Sequence, residues 1–159
     1  MRGPHFLSLV ATDSWFCGGA HPDDDQFPLV YDLTTGTPLN WSRFLPAVLV
    51  QKTGIETAGD GTVVGTVSSP KLHELYLKGY KNDPDCAEAI KDPDLPFTLW
   101  PSAPTEGITI QPFGLPHAVA ACAGEVTIPL SVLRTLSVRH ELLGAIEDAH
   151  EQGLYDPQQ

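Results

Sequence analysis

The chain has few cations and no long apolar run. Nine of its 159 residues are Lys or Arg and twenty are Asp or Glu, which gives a formal net charge of −11 at pH 7. Binding to nucleic-acid phosphates requires clustered Lys and Arg, and adsorption to an anionic membrane also requires positive charge. We therefore expect no nucleic-acid partner. No stretch of 18 apolar residues is present, so we also expect no transmembrane segment in this chain.

The sequence also has few cysteines, and its first residues lack the apolar core of a signal peptide. We therefore expect either a cytoplasmic protein or a mature or truncated piece of an exported one. The cysteines Cys17, Cys86 and Cys122 form no CxxC pair and allow one disulfide in three pairings. An exported protein favours a disulfide. We choose Cys17 with Cys86, because the small apolar residues around Cys122 suit a buried thiol.

The residues that are abundant indicate a folded chain with many turns. Hydrophobic residues make up 42% and charged residues 18%, and a chain of this length can bury a substantial core. We therefore expect one domain over residues 1–159. The 15 prolines and 14 glycines indicate short elements separated by loops.

The apolar patterns predict an α+β fold. Strands are expected at 6–12, 27–33, 95–100, 107–112 and 125–129. Helices are expected from Ser69-Pro70 onward, at 130–138 and at the C-terminus over 140–152, with shorter helical segments within 40–51 and 85–90. Residues 18–25 and 53–67 are expected to form connections. The prediction is an antiparallel sheet with helices packed on one side.

Ala20-His21-Pro22-Asp23-Asp24 resembles the zinc-binding start of the deacetylases that remove N-acetyl groups from sugars. In that family the histidine and an aspartate bind zinc, and the neighbouring aspartate is the base that activates the bound water. This chain departs from the pattern because Asp25 stands where the family has glutamate and because the later pair of histidines three apart is missing. A zinc-dependent N-deacetylase centred on His21 and Asp24 is therefore the alternative function.

A structural role for the same segment is the favoured hypothesis, with no catalytic, metal or cofactor site. Gly18 and Gly19 permit backbone conformations closed to other residues, and Pro22 fixes the exit of the turn. His21 is expected to anchor the loop by bonding backbone carbonyls. Two further structural roles are expected just downstream.

Asp32 and Gly36 are expected to shape the turn that follows the second strand. Asp32 caps it through an Asx-type bond, and Gly36 supplies a residue able to adopt positive φ. Neither is expected to take part in chemistry.

Three blocks of the chain resemble an uncharacterised bacterial cell-envelope family. These are 17–22 with 30–36, then 107–119, then 126–130, in the expected order within residues 6–138. The family includes the C-terminal sensor domain of a lysozyme-responsive anti-sigma factor and the non-catalytic N-terminal domain of a peptidoglycan deacetylase.

The resemblance implies a non-enzymatic, periplasmic or extracellular α+β binding domain without a cofactor. Its ligand would be lysozyme, another basic protein, or peptidoglycan-related glycan. It also implies upstream strands or a membrane anchor missing from this sequence, which would leave an exposed sheet edge. The net charge of −11 suits a basic partner. A structural or oligomerising envelope module is a further alternative.

Two tryptophans are candidates for a ligand surface. Trp41 and Trp100 are more often packing residues, but exposed together on one face they would indicate stacking against a glycan. The structure can therefore discriminate between the two roles.

Overall fold

The computed structural model describes residues 1–16, 18, 23–57, 63–81 and 84–155. This part of the chain forms two antiparallel sheets and four helices, so the predicted α+β class is confirmed. The strands are β1 (Phe6–Trp15), β2 (Asp23–Asp32), β3 (Thr37–Pro38), β4 (Lys52–Thr57), β5 (Val63–Ser68), β6 (Phe97–Ser102), β7 (Gly107–Pro112) and β8 (Val126–Pro129). The helices are α1 (Trp41–Phe44), α2 (Pro70–Gly79), α3 (Leu130–Thr135) and α4 (His140–Glu151).

The first sheet has the strand order β1-β2-β3. β1 and β2 pair along their whole length, from Phe6 opposite Asp32 to Trp15 opposite Asp23. The prediction that residues 18–25 form a connection is therefore wrong for 23–25, which belong to β2. The ladder is made by backbone groups, so it continues through positions with poor strand propensity when the partner strand is already in register.

The free edge of β1 is covered only at its start by described residues. The Ser8 N–H donates to the Met1 carbonyl, and Arg2 forms a bridge with Leu7. Within the described part of the chain, no strand pairs with this edge beyond Ser8.

The second sheet has the order β4-β5-β6-β7-β8. The strands predicted at 95–100 and 107–112 are confirmed as β6 and β7, which pair as a hairpin, and the strand predicted at 125–129 is confirmed as β8. The prediction that residues 53–67 loop out is wrong, because β4 and β5 form a second hairpin there. Its β-branched Thr, Ile and Val residues favour a pleated strand. β5 joins the rest of the sheet through the pair Val67 and Phe97.

The two faces of the second sheet differ in chemistry because side chains alternate along each strand. One face buries Phe97, Leu99, Ile108, Ile110 and Ile128. Helices α2 and α3 contact β8, and α4 packs on α3, so these helices cover that face. The other face carries threonines, serine and Trp100 toward the first sheet.

The helix boundaries follow the expected signals. Ser69 caps α2, because its Oγ accepts a hydrogen bond from the Leu72 N–H at 3.0 Å, with Pro70 as the first helical residue. The short helix α1 ends before Pro46, since proline disrupts the interior of a helix. Ser137, at a φ of 62°, separates α3 from α4. Residues 85–90 form a 3₁₀ turn and further turns rather than a regular helix.

The disulfide joins Cys86 to Cys122, with 5.3 Å between their Cα atoms. The predicted pairing of Cys17 with Cys86 is therefore wrong, and Cys17 lies outside the described residues. Cys122 ends a 3₁₀ turn that follows β7, and this turn lies against α2. The contact is made by Tyr76, whose hydroxyl donates to the carbonyls of Gly124 and Cys122 at 3.1 and 3.4 Å.

None of the described helices combines the length and apolar character needed to cross a membrane.

Candidate binding site

A cavity of about 410 Å³ lies between the first sheet and the polar face of the second sheet. We call it the inter-sheet cavity. Its polar lining consists of hydroxyl, amide and carboxylate side chains beside one indole ring: Ser8, Thr12, Gln26, Trp100, Ser102, Thr105, Thr109, Glu125 and Thr127.

The strand registers explain how these residues meet. Ser8 and Thr12 are on the same face of β1, and Gln26 lies opposite Thr12 on β2. On the other wall Trp100 pairs with Thr109, and Thr109 pairs with Thr127, so three neighbouring strands place one row of side chains on the same face. The cavity is therefore formed by regular sheet geometry rather than by loops.

Four hydroxyl groups form a connected chain along the second sheet. The hydroxyls of Thr109 and Thr127 are 2.9 Å apart, and Thr127 donates to Thr105 at 3.4 Å. Thr105 donates to the Ser102 hydroxyl at 2.7 Å. Each hydroxyl has one donor and two acceptor positions, so the chain retains acceptor capacity for a ligand.

A side-chain contact links the two sheets beside this cavity. The Gln26 amide nitrogen donates to the Glu125 carboxylate at 2.7 Å, although the two residues are 99 positions apart in the sequence. The carboxylate has further acceptor positions, and the amide oxygen of Gln26 is an acceptor as well. This pair therefore adds directional hydrogen-bonding groups to the hydroxyl chain.

The two tryptophans are placed in separate environments. Trp41 is 7% exposed and lines a small cavity of about 60 Å³ between β2, β5 and β6. Trp100 is 6% exposed and lines the inter-sheet cavity. The two rings therefore do not form the shared exposed surface considered from the sequence, and only Trp100 borders the candidate site.

The turn after β2 has the predicted construction. Asp32 accepts a hydrogen bond from the Thr34 N–H at 2.9 Å, which confirms the Asx turn. Its other carboxylate oxygen lies 3.4 Å from the Arg43 guanidinium. Gly36 has a φ of +68° and Gly18 a φ of +82°, so both glycines adopt the left-handed conformation expected of them.

The zinc hypothesis concerns residues that are mostly outside the described part. Gly19, His21 and Pro22 are not described, nor are the side chains of 23–25. Among the residues the structure describes, no group of three or more His, Cys, Asp or Glu side chains is arranged to hold a metal ion. Zinc binding at His21 and Asp24 stays a prediction that metal analysis of the purified protein can test.

The hydroxyl chain and the Gln26–Glu125 pair were not predicted from the sequence. A signal was present, because Thr98, Thr109 and Thr127 interrupt apolar residues with a period of two. That alternation indicates a polar sheet face, but which surface faces it depends on the packing of the first sheet.

No model of a known protein family matches the chain, and no curated protein matches it.

Proposed function

We propose that this chain is a non-enzymatic, extracytoplasmic binding domain that holds a segment of cell-wall glycan in the inter-sheet cavity. The observation that carries the proposal is the chain of four hydroxyls beside Trp100 and the Gln26–Glu125 pair. The volume of about 410 Å³ lies within the range of roughly 300–1,000 Å³ that is usual for small-ligand sites.

A sugar suits this lining because hydroxyl, amide and carboxylate groups are combined there with apolar side chains such as Val10 and Pro101. Sugar hydroxyls both donate and accept hydrogen bonds, as do the Ser and Thr hydroxyls that line the cavity. Trp100, which is 6% exposed, borders the cavity and adds an apolar contact for the C–H groups of a sugar. Glu125 accepts hydrogen bonds from amide or hydroxyl donors, which N-acetylated sugars provide.

Binding is favoured over glycan cleavage by the number of carboxylates. Glycoside hydrolases generally use two carboxyl groups that flank the scissile bond. Among the described residues that line the inter-sheet cavity, Glu125 is the one carboxylate side chain, and it is engaged by Gln26. The groups that line the cavity would therefore orient a bound glycan rather than cleave it.

The compartment part of the proposal is supported by the disulfide between Cys86 and Cys122. Disulfides persist in oxidising compartments such as the periplasm and the extracellular space and are rare in the cytosol. This observation agrees with the compartment implied by the envelope-family resemblance.

Isothermal titration with soluble N-acetylglucosamine oligomers and peptidoglycan fragments tests the proposal. We expect saturable binding that Thr127→Val weakens about tenfold, which corresponds to about 1.4 kcal/mol, the scale of one hydrogen bond. Thr53→Val is the matched control, because Thr53 is exposed on β4 and does not line the cavity. Absence of binding, or equal weakening by both variants, would overturn the proposal.

A basic protein such as lysozyme is a second candidate ligand, favoured by the net charge of −11. An acidic protein attracts a cationic partner over long distances and so accelerates association. Binding of a cationic protein would depend on charge and would weaken as the salt concentration rises. Binding of a neutral glycan would not, so the salt dependence distinguishes the two candidates.

A further inference from the structure

A second cavity, of about 420 Å³, is lined by α4, α1, the start of β1 and the turn that follows β2. We call it the α4 cavity. It shares no lining residue with the inter-sheet cavity. Its wall includes Phe6 and Phe44, which pack edge to face with 5.4 Å between ring centroids.

One stripe of α4 forms a side of this cavity. Glu141, Gly144, Ala145 and Asp148 all line it, and their spacing of three, four and seven places them on one helix face. The apolar part of the stripe lies between the two carboxylates. Gly144 and Ala145 therefore form an apolar surface with a carboxylate at each end.

Gly144 is the unusual residue of the stripe. A glycine inside a helix is destabilising relative to alanine. Close packing does not explain this one, because a Cβ placed at Gly144 would meet no atom within 4 Å. The glycine therefore leaves space in the cavity, although it lowers the stability of the helix and the described neighbours would accept a Cβ.

The charges of the lining favour a cation. Asp32 and Arg43 already face one another at 3.4 Å, so their charges largely cancel. Glu141 and Asp148 have no ion-pair partner among the residues the structure describes, and the remaining titratable groups of the wall are His5 and His140. The wall therefore presents two exposed carboxylates that no described cation pairs with.

The helix dipole distinguishes the two acids. Glu141 is in the first turn of α4, where the partial positive charge of the helix terminus stabilises a carboxylate. Asp148 is near the other end, where the partial negative charge adds to its own. A cation is therefore held best near Asp148, with its apolar stem along Gly144 and Ala145.

We propose that the α4 cavity binds a primary ammonium group on an unbranched apolar stem, as in a free alkylamine or a lysine side chain. The stem occupies the space above Gly144 beside the aromatic pair, and the ammonium group donates to the Asp148 carboxylate. This site is independent of the proposed glycan site.

The test follows the backbone amide NMR signals of α4 while n-butylammonium is added at constant ionic strength, with sodium butyrate as the matched anion. We expect saturable shifts at Gly144, Ala145 and Asp148 with the amine and none with butyrate. Asp148→Asn should weaken binding at least fivefold. Glu151→Gln removes the same charge from the same helix outside the cavity and should leave binding unchanged.

A cavity-filling variant gives an independent readout. Gly144→Leu should abolish binding and raise the melting temperature, because leucine has the higher helix propensity. Tighter binding of Nα-acetyl-lysine amide than of n-butylammonium would identify a peptide side chain as the natural source, and equal binding a free amine. Equal binding of butyrate, or identical affinities of the Asp148 and Glu151 variants, would overturn the proposal.

Discussion

At the scale of single residues, Tyr76 connects α2 to the disulfide region. Its ring is fully buried and lies 5.1 Å from the ring of Phe97, while its hydroxyl donates to two backbone carbonyls. Burial raises the pKa of Tyr76 above its ordinary value, because the phenolate would lose its hydration. The residue therefore combines core packing with the hydrogen bonds that hold Cys122 and Gly124 in place.

Tyr76→Phe should lower the free energy of unfolding by about 1–2 kcal/mol at pH 8, because it removes the buried hydroxyl and leaves carbonyls unpaired. The phenol ionises near pH 10 in the unfolded chain but at higher pH in the folded protein. Its contribution is thus fully present below pH 10 and is lost as the pH rises above it.

Urea unfolding at pH 8 and pH 10.5 measures both effects. The wild type should lose more stability between these two pH values than Tyr76→Phe does. Tyr31→Phe, which changes a half-buried tyrosine of β2 and keeps Tyr76, should behave like the wild type. An equal loss in the wild type and Tyr76→Phe would contradict the role assigned to this burial.

At the scale of elements, the disulfide links two 3₁₀ turns that lie outside the sheets and the α-helices. Cys86 follows α2 and Cys122 precedes β8, and 36 positions separate them in the sequence. A disulfide of this loop length stabilises mainly by restricting the unfolded chain, by roughly 3–4 kcal/mol.

Cys122→Ser should therefore lower the free energy of unfolding by roughly 3–4 kcal/mol, and reduction of the wild type should produce a similar loss. With three cysteines in the chain and one disulfide, the denatured unreduced monomer should contain one reactive thiol. Peptide mapping should assign that thiol to Cys17. A disulfide that includes Cys17 would contradict the pairing described here.

Elements with strong local signals could be predicted from the sequence. Ser69-Pro70 marks the start of α2, and the alternation in 107–112 marks β7, because both depend on nearby residues. The hairpin of β4 and β5 was missed, since glycines such as Gly54 and Gly65 suggest loops while pairing with β6 is decided by tertiary contacts. The cysteine pairing was missed for the same reason, because the packing of Tyr76 brings Cys122 to Cys86.

At the scale of the whole molecule, the candidate site depends on contacts that no local pattern specifies. Gln26 and Glu125 meet across 99 positions of sequence, and the hydroxyl chain becomes a cavity wall only because the first sheet packs over it. The sequence therefore predicted the elements of the site but not their juxtaposition. The net charge, by contrast, could be predicted from the sequence, because it follows from composition alone.

If a basic protein binds this chain, the net negative charge of the chain should accelerate their association. The Debye length falls from about 30 Å at 0.01 M salt to about 8 Å at 0.15 M, so association with lysozyme should slow steeply over this range. Stopped-flow or surface-binding kinetics measure the rate, with an acidic protein of similar size as the control. Undetectable binding in low-salt calorimetry would eliminate the lysozyme candidate and leave the glycan proposal intact.

NMR mapping with N-acetylglucosamine oligomers tests whether the inter-sheet cavity is a glycan site. If it is, we expect saturable shifts of the Trp100 indole N–H and of the amides of Ser102, Thr109 and Thr127, with α4 unaffected. Shifts elsewhere with none in these residues, or no shifts at saturating glycan, would contradict it.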